Sequence, residues 1–303
     1  MTTIGVAGLG RMGAAIAQRL IETGAGVVVW NRSAEKCEAL RARGAAVAPS
    51  PAALAAQCDV IITILTDAAA IDAVYRGPDG LLSAAVADKL FVEMSTVRPQ
   101  TEQALARDVA AAGGAFVECP VGGTVGPALK GQLLGFAGGE AGTVERARPV
   151  LEKLCRRFDH VGEVGAGSSF KLAINLPLAV YWQALGEAYA LCEHLPIDRA
   201  KMIEIFQETS GAPNVLKARG ATVAEALGRL LPCPLPGSED HLDLADEVLE
   251  LGTHRAKVDV LHECEVVQRG PVLVYRRLDR SNSRLGPERR VRLVRRLLHF
   301  RPY

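Results

Sequence analysis

Short apolar runs alternate with amphipathic segments through the first half of the chain. The apolar runs have strand length and are predicted as strands at 2–7, 26–30, 59–65, 89–94, 115–118 and 133–138. The alanine-rich segments between them are predicted as helices, for example at 34–43, 51–57 and 100–112. Because strands that alternate with helices usually pair in parallel, this pattern predicts an α/β fold built on a doubly wound parallel sheet.

The pattern changes at residues 162–165, and helical spacing dominates from there on. A helix of roughly thirty residues is predicted from Ser168, with a kink at Pro177, which cannot donate to the carbonyl of Ala173. Further helices are predicted at 198–209, 213–227 and 239–251. We therefore expect a sheet domain at 1–163, an all-α domain at 164–252 and a separate tail at 253–303.

A glycine-rich turn follows the first predicted strand and opens the first predicted helix. It reads Gly8-Leu9-Gly10-Arg11-Met12-Gly13. In this context the first glycine permits a tight turn, the second lets a pyrophosphate approach the backbone, and the third lets helix and strand pack closely. Free N–H groups and the dipole at a helix N-terminus favour anions, so the six residues are predicted to bind a dinucleotide.

The residues after the second predicted strand bear on the choice of dinucleotide. An NAD-preferring site usually has Asp or Glu there, which accepts hydrogen bonds from the ribose 2′-hydroxyl. This chain has Asn31-Arg32-Ser33 instead. The missing acid removes repulsion of a 2′-phosphate, and Arg32 supplies a charged fork for one, unless it is only a solvated surface residue. Asn31 and Arg32 therefore favour NADP(H), with NAD(H) as the alternative.

The composition is that of a globular protein, with 49% hydrophobic residues and no apolar run of membrane-spanning length. The N-terminus lacks the regions of a secretory signal peptide. Seven cysteines, at positions 37, 58, 119, 155, 192, 233 and 264, show neither a CxxC pair nor ligand spacing. This pattern favours reduced thiols over a zinc site or a disulfide framework. We therefore expect a cytoplasmic protein with no metal and no membrane contact.

The net charge of +1 conceals a strongly basic C-terminal segment. Residues 269–303 contain eleven Arg and no Lys against two acids, which gives +9 there and −8 for residues 1–268. Three interpretations are open: a basic arm for nucleic acid, a divergent helical end with a solvated basic face, or the product of a reading-frame shift in a GC-rich gene. The last is favoured, and nucleic-acid binding is the least favoured.

Four segments together resemble the β-hydroxyacid dehydrogenase family, which includes 3-hydroxyisobutyrate dehydrogenases and related imine reductases. They are the glycine turn at 8–13, Val92-Glu93-Met94-Ser95-Thr96-Val97-Arg98-Pro99, Val117-Glu118-Cys119-Pro120-Val121-Gly122-Gly123-Thr124-Val125-Gly126 and Gly165-Ala166-Gly167-Ser168-Ser169-Phe170-Lys171-Leu172-Ala173-Ile174-Asn175. They span roughly residues 1–228 in the family's order and spacing. The resemblance implies a Rossmann-type sheet domain and a helical domain for substrate binding and dimerisation. It also implies a homo-oligomer, dimer or tetramer, if the C-terminus is intact.

The resemblance assigns the proton chemistry to Lys171. This residue matches the family's catalytic lysine, the general acid of reduction and the general base of oxidation. That role needs a cation beside the developing alkoxide and a pKa lowered by burial. Asn175 lies four residues on, hence on the same helix face, and matches the asparagine that holds the substrate or the lysine. The alternative is a surface charge, which the apolar neighbours Phe170 and Leu172 disfavour.

The resemblance also implies cofactor contacts at two strand ends. Ser95 and Thr96 match the motif that approaches the nicotinamide, at the carboxyl end of a strand, where open α/β sheets place ligands. Leu65 and Thr66 follow the third predicted strand and are expected to line the adenosine ribose, unless this segment is an ordinary turn. These four residues complete the predicted cofactor site.

Three departures from the family pattern concern the substrate and the nicotinamide. Gly122 replaces a serine that touches the substrate carboxylate, although Gly122, Gly123 and Thr124 still offer backbone N–H groups and a hydroxyl. Ile174 stands where the family often has a first asparagine, and Glu239 stands near the place of a lysine that covers the nicotinamide. The first two changes make the pocket less polar, which suits a bulkier or uncharged substrate.

The sequence therefore predicts an NAD(P)-dependent dehydrogenase or reductase that acts on a small β-hydroxy acid or its semialdehyde. Hydride would move between the nicotinamide and the carbinol carbon while Lys171 handles the proton. An NADPH-dependent imine or ketone reductase is the second hypothesis, favoured by Gly122 and Ile174 and disfavoured by Lys171, because imine reductases often lack a lysine there. The third is a dinucleotide-binding protein without turnover, motivated by Glu239 and the tail.

Overall fold

A computed structural model describes residues 2–192 and 195–229, together with the backbone of two strands, β10 (Cys264–Arg269) and β11 (Val272–Arg277). The chain divides into two compact units, one ending at Lys257 and one starting at Val258. In the second unit β10 and β11 pair antiparallel. The predicted helix at 239–251, Glu239 and most of the tail lie outside the described residues. The domain boundaries at 163 and 252 stay predictions.

The described strands of the first unit form one sheet in the order β3-β2-β1-β4-β5-β6-β8-β7, with β9 beside β8. They are β1 (Thr3–Ala7), β2 (Gly26–Trp30), β3 (Ala46–Val47), β4 (Val60–Thr63), β5 (Leu90–Glu93), β6 (Ala115–Glu118), β7 (Val121–Gly122), β8 (Leu133–Gly138) and β9 (Cys155–Gly162). Pairing is parallel from β3 to β6, and β8 runs antiparallel to β6 and β7. The predicted α/β fold is confirmed.

Helices alternate with these strands and then dominate. They are α1 (Arg11–Glu22), α2 (Glu35–Arg41), α3 (Pro51–Gln57), α4 (Ala68–Arg76), α5 (Pro99–Ala111), α6 (Val125–Leu129), α7 (Ala141–Leu154), α8 (Ala166–Cys192), α9 (Arg199–Gln207) and α10 (Asn214–Arg229). No bounds were predicted from the sequence for the short strands β3 and β7, the strand β9, or the helices α4, α6 and α7. The long predicted helix is present as α8 and continues through Pro177.

The central strands are buried on both faces, and alternate side chains enter two separate cores. Val6, Val29 and Val92 lie in the core that also holds Ile16 and Leu20 of α1. The second core, on the opposite face, takes Ala7, Val28 and Phe91 together with Leu54, Ile71 and Leu105 from α3, α4 and α5. Because helices cover both faces, only the ends of the strands remain open to a ligand, as is usual in open α/β sheets.

The helices after α7 form a core of their own. Trp182, Leu185 and Tyr189 of α8 are buried against Met202 and Ile203 of α9, while Leu216 and Val223 of α10 complete the cluster. Several apolar residues of α8 are exposed in the described part, Leu176 by 60% and Val180 by 46%. Among the helices that the structure describes, none has both the length and the hydropathy needed to cross a membrane.

Candidate active site

The glycine turn between β1 and α1 packs so closely at Gly8 and Gly13 that neither position has space for a side chain. Gly8 has φ +97, and a Cβ there would collide with the carbonyl oxygen of Ile64 and stand 2.8 Å from Leu65 Cδ2. A Cβ at Gly13 would overlap the carbonyl oxygen of Gly8. Gly10 is the N-cap of α1 and gives it no side-chain cap, so the first N–H groups of the helix are free to bind an anion.

Asn31 connects the end of β2 to this turn. Its Oδ1 accepts a hydrogen bond from the Leu9 N–H at 2.8 Å, and its Nδ2 donates to the Ser33 carbonyl at 3.0 Å. The neighbouring Arg32 is exposed. Asn31 therefore holds the backbone of the glycine turn, a task that the sequence pattern did not predict, while Arg32 remains available at the same edge of the sheet.

Ser95 joins the ends of β4 and β5. Its Oγ accepts a hydrogen bond from the Leu65 N–H at 2.8 Å and donates to the Glu93 carboxylate, which also accepts from the Ser95 N–H at 2.8 Å. Ser95 is almost fully buried, whereas Thr96 is half-buried and Thr66 is exposed. The predicted residues Leu65, Thr66, Ser95 and Thr96 thus lie on two adjacent loops at the carboxyl edge of the sheet.

A buried polar network lies beneath these loops. Thr63 Oγ1 bonds the Tyr75 hydroxyl at 2.8 Å and lies 3.4 Å from Glu93 Oε1. Glu102 of α5 is buried beside Glu93, and neither of its oxygens makes a well-formed hydrogen bond to a described residue. Burial raises the pKa of both carboxyls, and the charge of Glu93 adds to the effect on the pKa of Glu102. We infer that Glu102 is the protonated member of the pair.

A second strand-end glutamate holds the start of α8. Glu118 ends β6, opposite Glu93 in register, and is fully buried. Its Oε1 accepts from the N–H groups of Gly165 at 2.5 Å and Gly167 at 2.8 Å, and its Oε2 from the Ser168 N–H at 3.2 Å and hydroxyl at 2.6 Å. The N-terminus of α8 is therefore fixed at the same edge of the sheet as Ser95.

Lys171 and Asn175 occupy the next two turns of α8. Lys171 is half-buried, and burial lowers the pKa of its ammonium to about 8. The Nδ2 of Asn175, four residues further, is buried without a hydrogen-bond partner among the described residues. A buried donor without an acceptor carries a desolvation cost that a bound oxygen would relieve. The pair accordingly offers a titratable ammonium and a free amide donor on one helix face.

The glycine loop after β6 tolerates a Cβ at Gly122 but not at Gly123, where it would stand 2.8 Å from Leu133 Cδ2. Gly122 lies in β7, and a Cβ there would make only ordinary contacts, 3.6 Å to Leu134 Cβ and 3.7 Å to Phe136 Cε2. Gly123 has φ +131, and Thr124 is the exposed N-cap of α6, with no side-chain hydrogen bond to that helix. The Phe136 ring packs against Phe170, with centroids 5.2 Å apart. The neighbours of Gly122 are therefore apolar, and the position lacks the serine hydroxyl that the family resemblance led us to expect.

The possible metal ligands of the described part of the chain are dispersed, and four of its cysteines are buried. Its His, Cys, Asp and Glu residues nowhere form a group of three that could hold a metal ion. The cysteines at positions 37, 58, 119 and 155 are free and buried, the first inside α2 and the other three at or near strand ends. Burial raises the pKa of Cys58 and of Cys155 to about 12 each, which keeps these two thiols protonated and unreactive.

The family comparison agrees with this geometry. Residues 3–162, more than half of the chain, match the family described as the NAD binding domain of 6-phosphogluconate dehydrogenase. The chain belongs to the β-hydroxyacid dehydrogenase family. Members of this family are NAD(P)-dependent oxidoreductases, and residues 3–162 match the dinucleotide-binding domain of such a protein.

Individual relatives extend the family match into the helical segment. Glyoxylate/succinic semialdehyde reductase 1 of Arabidopsis thaliana is 31% identical over 220 residues, which are 73% of this chain and 76% of the plant protein. The 3-hydroxyisobutyrate dehydrogenase of Pseudomonas aeruginosa is 34% identical over 211 residues, 70% of this chain and 71% of the relative. Among solved structures, Psf3 in complex with NADP+ and 2-OPP is 27% identical with a TM-score of 0.68, covering 84% of this chain and 98% of that one.

Proposed function

We propose that this β-hydroxyacid dehydrogenase interconverts a small β-hydroxy acid and its semialdehyde with an NADP(H) cofactor. The observation that carries the proposal is the pair of groups on α8, a half-buried Lys171 with a pKa near 8 and the unpartnered amide of Asn175. Both follow the helix start that Glu118 holds beside the cofactor loops. The names of the plant and bacterial relatives support this substrate class.

The cofactor half of the site fits a dinucleotide. Close packing at Gly8 and Gly13 keeps the turn tight, and the free N–H groups at the start of α1 suit a pyrophosphate. We assign the phosphates to Gly8, Leu9, Gly10, Arg11, Met12 and Gly13, the adenosine ribose to Leu65 and Thr66, and the nicotinamide side to Ser95 and Thr96. When bound, the nicotinamide supplies or accepts the hydride.

The preference for NADP(H) rests on the end of β2. Asn31 presents no carboxylate to a 2′-phosphate, and its side chain is committed to the glycine turn. Arg32 is exposed beside it and offers a permanent positive charge. The NADP+ complex of the Psf3 relative agrees with this choice. NAD(H) is the alternative, and titration with both cofactors decides between them.

The protein side chains then manage the substrate and the proton. In reduction, Lys171 donates a proton from Nζ to the carbonyl oxygen while the carbon gains hydride, and in oxidation the neutral amine takes the hydroxyl proton back. Because the ammonium lies in a partly desolvated place, it also stabilises the developing alkoxide. Asn175 donates to a substrate oxygen, and Gly122, Gly123 and Thr124 offer N–H groups and a hydroxyl to the carboxylate.

An NADPH-dependent imine or ketone reductase is the second candidate. The apolar neighbours of Gly122, Leu134 and Phe136, and the Phe136–Phe170 ring pair favour a substrate whose end is apolar rather than charged. The cofactor loops are the same in both hypotheses. The polarity of the substrate pocket separates them, and Lys171 favours the first, because imine reductases often lack a lysine there.

One experiment distinguishes the candidates. Thermal-shift titration with NADPH and NADH identifies the cofactor, and the better one is then assayed with β-hydroxy acids, semialdehydes and cyclic imines in parallel. Turnover of a hydroxy acid or semialdehyde supports the first proposal, and turnover of imines alone supports the second. A clear NADPH shift with no turnover on any of them would mean that the chain binds the dinucleotide without catalysis.

We also propose assembly as a dimer or tetramer. The exposed apolar residues of α8, such as Leu176 and Val180, provide surface for a second copy. Light scattering during gel filtration measures the mass directly, and a monomer at micromolar concentration would contradict the proposal. Neither nucleic acid nor membrane enters the proposed function.

A further inference from the structure

The cap that starts α8 is built around a carboxylate. A Cβ at Gly138 would collide with Glu118 Oε1, and one at Gly167 would stand 3.2 Å from that oxygen. Gly165 has φ +102, a backbone conformation that brings its N–H to the same oxygen and that L-residues rarely adopt. Gly138 of β8 and Gly167 of α8 therefore leave space for the Glu118 carboxylate, and Gly165 turns its N–H toward it.

We propose that Glu118 is a positioning residue for Lys171, since its carboxylate fixes the first turn of α8 and with it the place of the ammonium. Lys171 follows Gly167 by four residues and Ser168 by three, so it stands one helical turn above the capped groups. The inference rests on the proposed function and adds to it a group that touches neither substrate nor cofactor.

The cap needs a carboxylate rather than an amide. Glu118 receives four hydrogen bonds, two on each oxygen, and only an ionised carboxyl has acceptor sites for all of them. A glutamine keeps one acceptor oxygen and would turn an NH2 group toward the Ser168 N–H. The negative charge also suits the positive end of the helix dipole. Glu118→Gln should therefore loosen the first turn without changing the volume of the side chain.

The chain offers a matched control. Glu140 is the N-cap of α7 and accepts from the N–H groups of Gly142 at 2.9 Å and Thr143 at 2.8 Å and from the Thr143 hydroxyl at 2.8 Å. This carboxylate makes the same kind of cap on a helix that carries none of the proposed site residues. Glu140→Gln thus measures the loss of a carboxylate cap by itself.

The first test measures kinetics with the best substrate of the panel. We expect kcat of Glu118→Gln to fall about 10- to 100-fold, because a displacement of about 1 Å at a reacting group costs this much. The substrate KM and the NADPH Kd should change less than about threefold, and Glu118→Asp should recover part of kcat. Glu140→Gln should stay within about twofold of wild type. A kcat of Glu118→Gln equal to that of Glu140→Gln would overturn the proposal.

The second test needs no substrate. Lys171 is acylated with an N-hydroxysuccinimide ester over a range of pH, and mass spectrometry measures the extent of reaction. The exposed Lys36 is the reference, and the pH at half-maximal reaction is the midpoint of the Lys171 amine. The midpoint should be about 8 in wild type and should move toward about 10.4, the ordinary lysine value, in Glu118→Gln as burial is lost. An unchanged midpoint contradicts the proposal. A shifted midpoint in a protein inactive on the whole panel would refute the proposed function and leave this inference standing.

A milder variant keeps the proposal testable if Glu118→Gln fails to fold. Ser168→Ala removes one of the four hydrogen bonds, the one from the hydroxyl at 2.6 Å, and leaves the carboxylate in place. We expect kcat to fall about three- to tenfold, in line with the loss of one bond to a charged group, and the Lys171 midpoint to rise by a smaller amount. Wild-type kcat and midpoint in this variant would contradict the positioning role.

Discussion

Ser95 Oγ accepts the hydrogen bond of the Leu65 backbone N–H at 2.8 Å, so a side chain at the end of β5 holds the loop that follows β4. The Glu93 carboxylate accepts a hydrogen bond from this hydroxyl and so fixes its orientation. The two loops that we assign to the adenosine ribose and the nicotinamide side are thus joined by one atom. The two loops therefore form one hydrogen-bonded unit at the carboxyl edge of the sheet.

Removing this hydroxyl should weaken cofactor binding. In Ser95→Ala the Leu65 N–H loses its acceptor and the Glu93 carboxylate loses one donor, at a cost of about 1–3 kcal/mol in the free energy of unfolding. We expect the NADPH Kd to rise about tenfold in isothermal titration, because the loosened loops must be ordered on binding, and a cost of about 1.4 kcal/mol in binding free energy is a factor of ten. Ser83→Ala removes a hydroxyl that donates to the Gly80 carbonyl and is the control. An unchanged Kd would show that the hydrogen bond between Leu65 and Ser95 does not contribute to cofactor binding.

Lys171→Met should abolish turnover and spare the cofactor. Methionine fills a similar volume but has no proton to donate, so we expect kcat to fall about 10²- to 10⁴-fold, the usual contribution of a positioned acid. The thermal shift with NADPH should persist. Lys201→Met, which breaks an exposed ion pair with Glu204, should keep wild-type activity. Turnover within about threefold of wild type would remove Lys171 from the catalytic role.

The pH dependence should differ in sign between the two directions. Reduction needs the protonated ammonium, so its rate is expected to be level below pH 8 and to fall about tenfold per unit above it. Oxidation needs the neutral amine, so its rate should rise with pH up to about 8 and then level off, since burial lowers the pKa of Lys171 to about 8. Initial rates from pH 6 to 10 test this. A midpoint near the ordinary lysine value would contradict it.

Arg32→Ala should change the cofactor preference. Loss of a charge-assisted contact to the 2′-phosphate is expected to weaken NADPH about 10- to 100-fold and to leave NADH unchanged. Arg41 is also exposed but pairs with Glu38, and Arg41→Ala serves as the control. The ratio of the two dissociation constants is the measured quantity. Equal losses for both cofactors would show that Arg32 does not contact the 2′-phosphate.

Gly122→Ser should shift the substrate preference toward carboxylates. The position has room for a side chain, with the nearest atoms 3.6–3.8 Å from a Cβ, so the hydroxyl can be added without strain. We expect kcat/KM for a hydroxy acid to rise about tenfold relative to that for a cyclic imine. Gly126, whose Cβ position is open, provides the control Gly126→Ser. An unchanged ratio would place the carboxylate elsewhere.

Local sequence patterns predicted much of the fold and only part of the site. The glycine turn and the apolar strands follow from residue type and spacing, and they are correct. The prediction omits α7, although Val144, Ala147 and Leu151 recur at helical spacing, because Pro149 interrupts the pattern. It also omits β9, whose Arg156, Arg157 and Asp159 do not resemble a buried strand.

The hydrogen-bond network of the site was beyond such patterns. Glu93 and Glu118 end neighbouring buried strands, and a carboxylate at the end of an apolar run is a signal that could have singled them out. Their partners could not be predicted, because Gly165 lies 47 residues from Glu118 along the chain and the contact depends on strand order. The same holds for Asn31 and Leu9, 22 residues apart.

The bond between Asn31 and Leu9 has a consequence for redesign of the protein. We place Asn31 next to the adenosine ribose of the cofactor, and its side chain also holds the glycine turn that we assign to the phosphates, so one amide affects both selectivity and affinity. Substitutions at this position aimed at selectivity would disturb overall affinity as well. To exchange one dinucleotide for another, Asn31 should be kept and Arg32 and Ser33 varied, because selectivity can change there without a loss of overall affinity.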